Sequence, residues 1–144
     1  MYKHILVAIE NSDADRAVLS HVEPLARLTG ARLLLVHVAD GWAARNFHML
    51  KLAESQEMKD DRNYLENAAS KLREQGLIVS VKLALGNPPE EILKSAREFQ
   101  CDLIAMTTHG HRFFGDLLFG STINEVRHKA EAAVLLVRAG ASSE

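Results

Sequence analysis

The sequence predicts an α/β fold: a single doubly wound, open parallel sheet of five strands with helices on both faces. Five short apolar runs alternate with longer segments in which apolar residues recur every three or four positions. Strands separated by helices pair in parallel, and right-handed crossovers then place helices on both faces of the sheet. The 144 residues show no composition break, linker or internal repeat, so we expect one domain spanning 1–144.

The first strand and the helix after it are predicted from the N-terminal part of the chain. The run HILVAI at 4–9 is apolar throughout, which is typical of a strand buried on both faces. Ser12 is predicted to cap the following helix, with Asp15 as a weak partner in a capping box. Pro24 should kink this helix without ending it, and Gly30 should stop it. The predicted inner face comprises Ala14, Ala17, Val18, His21, Val22, Leu25 and Ala26.

The middle of the chain is predicted to add two strands and one long helix. The strands are expected at 32–38 and 78–85, and the second of them alternates more, which places it nearer a sheet edge. Between them we expect a loop over 40–48 and then a polar helix over 49–75, closed by Gly76. The predicted inner face of this helix comprises Leu65, Ala68, Ala69 and Leu72.

The last third of the chain opens with a strong helix start, in which Asn87 is the N-cap, Pro88 is N1 and Glu90 is N3. A fourth strand is predicted at 102–107 and a fifth at 133–137. The predicted inner faces of the two helices comprise Ile92, Leu93, Ala96 and Phe99 in the first, and Phe119, Ile123, Val126 and Ala130 in the second.

Composition and charge exclude several classes of protein. The formal net charge is -2 with no basic excess, so we expect binding neither to nucleic acid nor to an anionic membrane. Cys101 is the single cysteine, which excludes an internal disulfide and suits a reducing compartment. The first apolar run is too short for a signal sequence or a membrane span, so we expect a cytoplasmic protein.

The segment MTTHGHRFFGDLLFGST, residues 106–122, lies where an open parallel sheet binds ligands. It follows the fourth strand, which in a doubly wound order lies beside the first, at the carboxyl ends where the order reverses. A metal site made of protein ligands alone is disfavoured, because His109 and His111 lack the spacing of a zinc motif. Nucleophilic catalysis is disfavoured because no GxSxG elbow occurs, and Ser121 is better explained as a helix-capping residue.

Phosphate binding fits this segment best. The sequence GST at 120–122 is predicted at the start of the final helix, where free N–H groups and the helix dipole favour an anion. Gly110 can adopt a positive φ, and Arg112 and His109 can supply charge-assisted hydrogen bonds. The alternative left open is that the glycines only turn the chain and cap the helix. Neither GxxxxGK[ST] nor a GxGxxG after the first strand is present, which disfavours P-loop and dinucleotide-binding enzymes.

These residues resemble the universal stress protein family along nearly the whole chain. The resemblance is carried by YKHILVAIENS, LLLVHV, GNPPEEIL, DLIAMTTHG, FGST and AVLLVR. ATP-binding members share a pattern of Gly, two residues, Gly, nine residues, and then Gly-Ser or Gly-Thr. Gly110 and the pair Gly120-Ser121 fit that spacing, whereas Thr107 replaces the first glycine. Glu10 replaces the aspartate that usually follows the first strand.

The resemblance implies the strand order 3-2-1-4-5 and, in the nucleotide-binding branch of the family, ATP bound between strands one and four. From the segment between Gly110 and Thr122 we expect Mg²⁺ or Mn²⁺ to be held through the phosphates. It implies that Ala8 and Ile9 line the pocket, that Glu10 faces the ribose, and that the backbone of Val38 meets the adenine. The residues implied to hold the phosphates are Gly110, Gly120 and Ser121, with Thr122 beside them. It also implies a homodimer paired through strand five; the sequence identifies no other protein partner.

Thr107 is compatible with such a site if its backbone is extended, as the flanking pattern predicts, and would be strained at a positive φ. Three functions stay open: an ATP-binding stress or signalling protein with little or no turnover, a structural or interaction dimer of the same fold, and an enzyme of adenylate or phosphoryl chemistry. The GST at the helix start favours the first. The third lacks support, since phosphoryl transfer needs a metal-holding carboxylate and a positioned nucleophile.

Overall fold

The computed structural model describes residues 1–39, 56–109 and 117–139. Within those ranges the five strands form one sheet in the order β3-β2-β1-β4-β5, and every neighbouring pair is parallel. The predicted α/β class and the strand order implied by the resemblance are both confirmed. The elements are β1 (His4–Ala8), α1 (Asp15–Thr29), β2 (Arg32–Ala39), α2 (Gln56–Glu74), β3 (Val79–Leu85), α3 (Pro88–Glu98), β4 (Leu103–Thr108), α4 (Leu117–Lys129) and β5 (Ala133–Arg138).

Strand β1 lies at the centre of the sheet. It pairs with β2 on one edge, where Ala8 is opposite Val36, and with β4 on the other, where Val7 is opposite Ala105. The chain builds outward from β1 through β2 to β3, and then returns to the other side of β1 to add β4 and β5. The strand order therefore reverses between β1 and β4, which is where an open sheet of this kind binds ligands.

The apolar core forms two layers, one on each face of the sheet. Successive side chains of β1 alternate between the layers, and Ile5, Leu6 and Val7 are all 0% exposed. Ile5 and Val7 pack in the layer under α1 and α2, whereas Leu6 packs in the layer under α3 and α4. Burial on both faces explains why the first strand is apolar throughout instead of alternating.

The start of helix α1 differs from its prediction. The helix begins at Asp15 with Ala14 as its N-cap residue, so Ser12 lies in the turn before it, although the predicted contact between Ser12 and Asp15 is present. The Ser12 hydroxyl accepts from the Ala14 N–H at 3.2 Å, while the Asp15 carboxylate accepts from the Ser12 N–H at 3.1 Å. Because side chains satisfy these donors inside the turn, the helix does not have to begin at Ser12.

The rest of α1 follows the prediction except at one position. The helix continues past Pro24, and Gly30 ends it with a φ of 74° and an N–H donated to the Ala26 carbonyl at 2.8 Å. His21 was predicted on the inner face and is exposed, so that assignment is wrong. The buried apolar stripe is centred on Val18, Val22 and Ala26, and His21 lies beside that stripe and not on it.

Helix α2 confirms the later part of its predicted range, while its predicted first turns and the predicted loop 40–48 lie outside the described residues. Its inner face is confirmed, with Leu65, Ala69 and Leu72 buried and Ala68 packed against the same core.

None of the helices in the described ranges is long and apolar enough to cross a membrane.

Helix α3 begins as predicted, with Asn87 at the N-cap and Pro88 next to it. Phe99 was predicted on its inner face, but the side chain is 38% exposed. The reason is that Phe99 is the C-cap residue, with φ -96° and ψ 6°, so it no longer follows the helical period. Its ring instead packs edge-on against His4, with the Lys82 ammonium 5.7 Å from the ring centre.

Candidate functional site

Glu10 and His109 meet at the point where the strand order reverses. Glu10 follows β1, His109 follows β4, and the His109 Nε2 lies 2.9 Å and 3.1 Å from the two Glu10 carboxylate oxygens. The two side chains are 10% and 13% exposed, respectively. The parallel pairing of β1 with β4 brings together two residues that are far apart in sequence, because both strands end at the same edge of the sheet.

The environment of Glu10 disfavours its charged form. Burial raises the pKa of the Glu10 carboxyl above its ordinary value of 4.5, while the hydrogen bond and charge of His109 act in the opposite direction. Asp15, close by, adds to the rise through its own negative charge. Burial therefore outweighs the contribution of His109, and further hydrogen-bond donors would stabilise the carboxylate.

Thr107, which stands in the place of a glycine in the family pattern, has an ordinary strand conformation. It lies within β4 and is not among the residues with positive φ in the described ranges. Its side chain is buried at 3% exposure, and its hydroxyl makes a long contact of 3.5 Å with the Ala14 carbonyl. The prediction of an extended backbone at Thr107 is confirmed, so the residue causes no strain at this edge of the sheet.

The other strand-end residues lie on different faces. Ala8 and Val38 are half-buried against the layer under α3 and α4. Ile9 is only 3% exposed and packs in the opposite layer, its N–H donating to the Val36 carbonyl at 2.7 Å. Its carbonyl lies 2.7 Å from Nδ1 of His37. Ala8 and Val38 therefore lie on the same face of the sheet, whereas the Ile9 side chain packs in the core on the opposite face.

The helix after β4 begins earlier than the sequence predicts. Helix α4 starts at Leu117, so Gly120 is its fourth residue and not its start. The free N–H groups of a helix belong to its first turn, and they therefore precede Ser121. Ser121 is exposed, whereas Thr122 is 5% exposed and buried against the fold. Gly110 and Arg112 lie outside the described residues.

A polar cluster beneath α2 was not predicted. His37 of β2 faces Asp61 of α2, with 3.4 Å between Nε2 and a carboxylate oxygen, and Asn11 donates from its side-chain amide to the other oxygen at 2.6 Å. Asp61 is 8% exposed and lies four residues before the buried Leu65. That spacing puts an acid on the inner face of the helix, which is the sequence signal that could have revealed it.

No group of three or more His, Cys, Asp or Glu side chains in the described ranges is arranged to hold a metal ion. Glu10 pairs with one histidine, and Asp61 pairs with another on the far side of β1. The two pairs are separate, because one joins the residues that follow β1 and β4 and the other joins β2 to α2. The arrangement at the strand ends is suited to binding a polar organic ligand.

Comparison with known proteins gives a consistent result. The family model described as the universal stress protein family matches residues 1–138. The universal stress protein MJ0577 of Methanocaldococcus jannaschii is 28% identical, covering 96% of each chain. A universal stress protein of Thermus aquaticus is 32% identical, covering 96% of this chain and 100% of the relative.

Solved structures show the same fold. The structure of MJ0577 has a TM-score of 0.76 at 29% identity, with 96% of each chain covered. A universal stress protein from Archaeoglobus fulgidus in complex with dAMP has a TM-score of 0.71 at 24% identity, covering 94% of this chain and 98% of that chain. A universal stress protein in complex with cAMP has a TM-score of 0.69 at 18% identity, covering 96% and 98% of the two chains. At these identities the last two establish likeness of fold alone.

We predict that wild type gains stability relative to Glu10→Gln as the pH falls. The folded-state pKa of Glu10 is raised above 4.5, so its contribution to stability is fully present below that pH and is lost as pH rises through the folded-state pKa. Glutamine cannot titrate, so the difference in unfolding free energy between the two proteins should change in that direction. Denaturant unfolding at a series of pH values measures this difference.

Glu98→Gln is the matched control for this titration. The Glu98 carboxyl is exposed, and its hydrogen bond and ion pair with Lys82 lower its pKa below 4.5. Its contribution is present above pH 4.5 and is lost as the pH falls, so wild type should lose stability relative to Glu98→Gln on acidification. Parallel pH profiles for the two variants would contradict the assignment of a raised pKa to Glu10.

Proposed function

This chain belongs to the universal stress protein family, and on that premise we propose that it binds an adenine nucleotide in a stress-response or signalling role. ATP is the proposed ligand, with little or no turnover. The proposed site lies at the carboxyl ends of β1 and β4. The single cysteine of the sequence, Cys101, has a pKa raised by burial to about 11, which suits an inert thiol in a cytoplasmic protein.

The observation that carries this proposal is the Glu10 carboxylate, 10% exposed, at the boundary where the strand order reverses. A carboxylate after the first strand of such a sheet is well placed to accept hydrogen bonds from ribose hydroxyls. Among the described residues, the Glu10 carboxylate contacts Nε2 of His109 and makes a long 3.4 Å contact with the Ser12 hydroxyl, and burial raises its pKa, so further donors would stabilise its charged form. A ribose diol would supply those donors, which gives the ligand a chemical reason to bind there.

Relatives support the adenine nucleotide as the ligand class. The two structural neighbours in complex with dAMP and cAMP share the fold of this chain over nearly its whole length. Ala8 and Val38, half-buried on one side of the strand ends, would provide the apolar contact for the base. The phosphates would lie toward Gly110, Gly120 and Ser121, and a Mg²⁺ or Mn²⁺ ion would be held through phosphate oxygens.

We predict that ATP with Mg²⁺ binds more tightly than AMP, because in the proposed site the second and third phosphates would make contacts near the start of α4 that AMP lacks. Isothermal calorimetry with ATP, AMP and adenosine measures the contribution of each part of the ligand. Equal affinity for ATP and AMP would contradict a triphosphate site. Absence of binding by all three would favour the alternative, a structural or interaction dimer of the same fold.

Gly120→Val should weaken ATP binding by roughly tenfold or more while leaving adenosine binding unchanged. The added side chain would occupy space proposed for a phosphate, and valine is compatible with a helical position. Ser121→Ala should cost less, about 0.5–1.5 kcal/mol for one hydrogen bond. Circular dichroism of both variants checks that the fold is kept, and undiminished ATP affinity in Gly120→Val would refute this placement of the phosphates.

We further propose a homodimer formed through the outer edge of β5. Strand β5 pairs with β4 alone in the described part of the sheet, and Val134, Leu135, Leu136 and Val137 are all half-buried. An edge strand of this kind presents unpaired N–H and C=O groups that a second copy can satisfy. Arg138 is the charged residue at its end and is exposed.

The register shows which residue tests this edge. The N–H of Ala139 donates to the Thr108 carbonyl at 2.8 Å, so the backbone hydrogen-bonding groups of Ala139 face β4. Because successive residues of a parallel strand point their hydrogen-bonding groups to alternate sides, Leu135 and Val137 also face β4. Leu136 therefore points its N–H to the outer edge, and a proline there removes an outward donor while sparing the ladder to β4.

Leu136→Pro should convert a wild-type dimer into a folded monomer, as measured by sedimentation equilibrium. Leu136→Ala is the matched control, because it removes the same side-chain packing but keeps the N–H, and it should stay dimeric. Dissociation of both variants to the same extent would mean that side-chain packing, and not strand pairing, holds the dimer. A monomeric wild type would exclude the dimer itself.

A further inference from the structure

Asp15 is the most completely buried acid in the described ranges, at 1% exposure, and its carboxylate is surrounded by donors. One oxygen accepts from the N–H of Glu10 at 2.8 Å. The other accepts from the N–H groups of Asn11 at 2.8 Å and Ser12 at 3.1 Å. The Tyr64 hydroxyl of α2 donates to that second oxygen at 2.8 Å. Three consecutive backbone donors thus converge on one side chain.

The segment that supplies these donors is the turn between the first strand and the first helix. In α/β proteins, this turn and the helix start behind it form an anion-binding site, because backbone N–H groups and the helix dipole favour negative charge. Asn11 has a φ of 64°, a left-handed conformation that asparagine tolerates and that helps curl the turn around the carboxylate. The anion is supplied by the chain itself, from the first residue of α1.

Tyr64 closes the site from the other side. Its pKa is raised by burial and by its hydrogen bond to the Asp15 carboxylate, so the phenol stays protonated and acts as a donor. A carboxylate in the first turn of a helix ordinarily accepts from one backbone N–H group at that end, as in a capping box. Asp15 differs because it is buried and binds the N–H groups of the residues that precede its helix.

We infer that Asp15 is a positioning residue that acts as an internal anion: its carboxylate fills the phosphate-type site of the β1–α1 turn and holds the backbone of Glu10 so that the Glu10 side chain faces the ligand. This inference rests on the proposed function where it concerns the ligand. The anion site itself is independent of any nucleotide. A free phosphate cannot share the turn with Asp15, because the same N–H groups are already bound and the charges are alike.

The first arm of the test uses Asp15→Ala and inorganic phosphate. Removing the carboxylate leaves the three N–H groups without an acceptor, so the folded fraction should fall. Added phosphate or formate should restore it in a saturable manner, because a small anion can occupy the vacated place. Circular dichroism is followed during thermal unfolding, with chloride replaced by phosphate or formate at fixed ionic strength. The titration tests the inference whether Asp15→Ala is folded or unfolded in chloride, because it measures the change in the folded fraction as phosphate or formate is added.

Asp13→Ala is the matched control, because Asp13 is an exposed acid of the same turn. It removes an equal charge without emptying the carboxylate site. Wild type and Asp13→Ala should respond to phosphate only through its general effect on stability. A saturable gain confined to Asp15→Ala supports the inference, and an equal response in all three proteins overturns it.

The second arm measures binding. Asp15→Asn keeps the shape of the side chain but places an amide against backbone donors, so the Glu10 backbone should lose part of its support. Affinity should then fall by about tenfold, and by the same factor for adenosine and for ATP, since both contain the ribose. Asp13→Asn should leave both affinities unchanged. Unchanged binding by Asp15→Asn, or a loss for ATP alone, would refute the positioning role.

The two hypotheses fail in different ways. If wild type binds no nucleotide, the proposed function is wrong, but the phosphate titration of Asp15→Ala still decides whether the turn is an anion site. If wild type binds ATP and Asp15→Ala shows no specific rescue by phosphate or formate, the inference is wrong while the proposed function stands.

Discussion

The buried central strand fixes the geometry on which the rest of the site depends. Strand β1 is enclosed on both faces and hydrogen-bonded on both edges, so its end is a fixed point from which Glu10 projects. Strand β4 is buried beside it, with five of its six residues buried, and delivers His109 to the same edge. The contact between Glu10 and His109 is therefore set by strand pairing in a close-packed core and not by the conformation of a loop alone.

Three carboxylates near the end of β1 are largely removed from bulk water, and each one regains hydrogen bonds from different partners. Asp15 is bound by three backbone N–H groups and a phenol, which satisfies a buried charge almost completely. Asp61 is bound by an amide and a histidine. Glu10 has His109 and a long contact of 3.4 Å from Ser12, and its pKa is raised. Of these acids, Glu10 has the most to gain from a ligand that donates hydrogen bonds.

Most of the strands and helices could be predicted from the sequence, because buried positions recur as apolar residues at regular intervals. Strands buried on both faces are continuously apolar, and the helices show their inner stripes at intervals of three and four, so the order of elements followed directly. Phe99 and His21 were misplaced because a stripe was extended beyond the helix end or beyond its true width. Periodicity locates a face, but it does not define where that face stops.

The polar part of the site was harder to predict for a different physical reason. The partners of Asp15 and Asp61 include Tyr64 and Asn11, which lie about fifty residues away in the sequence and meet only through packing of α1 and α2 on the same layer. A hydrogen bond leaves no periodic signal in the sequence. The hint that was available is an acid on a buried helix face, as at Asp15 three positions before Val18. An acid at such a position predicts a buried hydrogen-bond network, but it does not identify the residues that donate the hydrogen bonds.

The Asp15 carboxylate also affects the orientation that a nucleotide would have in the proposed site. Helix α1 follows β1 and helix α4 follows β4 along the chain, and a helix start can receive a phosphate by its dipole and free N–H groups. With Asp15 seated at the start of α1, the donors of that turn are satisfied and its field is neutralised. Under the proposed function, the start of α4 would then be the more favourable place for phosphates, and Glu10, which follows β1, would face the ribose. In that arrangement the buried acid would fix the orientation of the nucleotide, because only one of the two helix starts would be free to bind its phosphates.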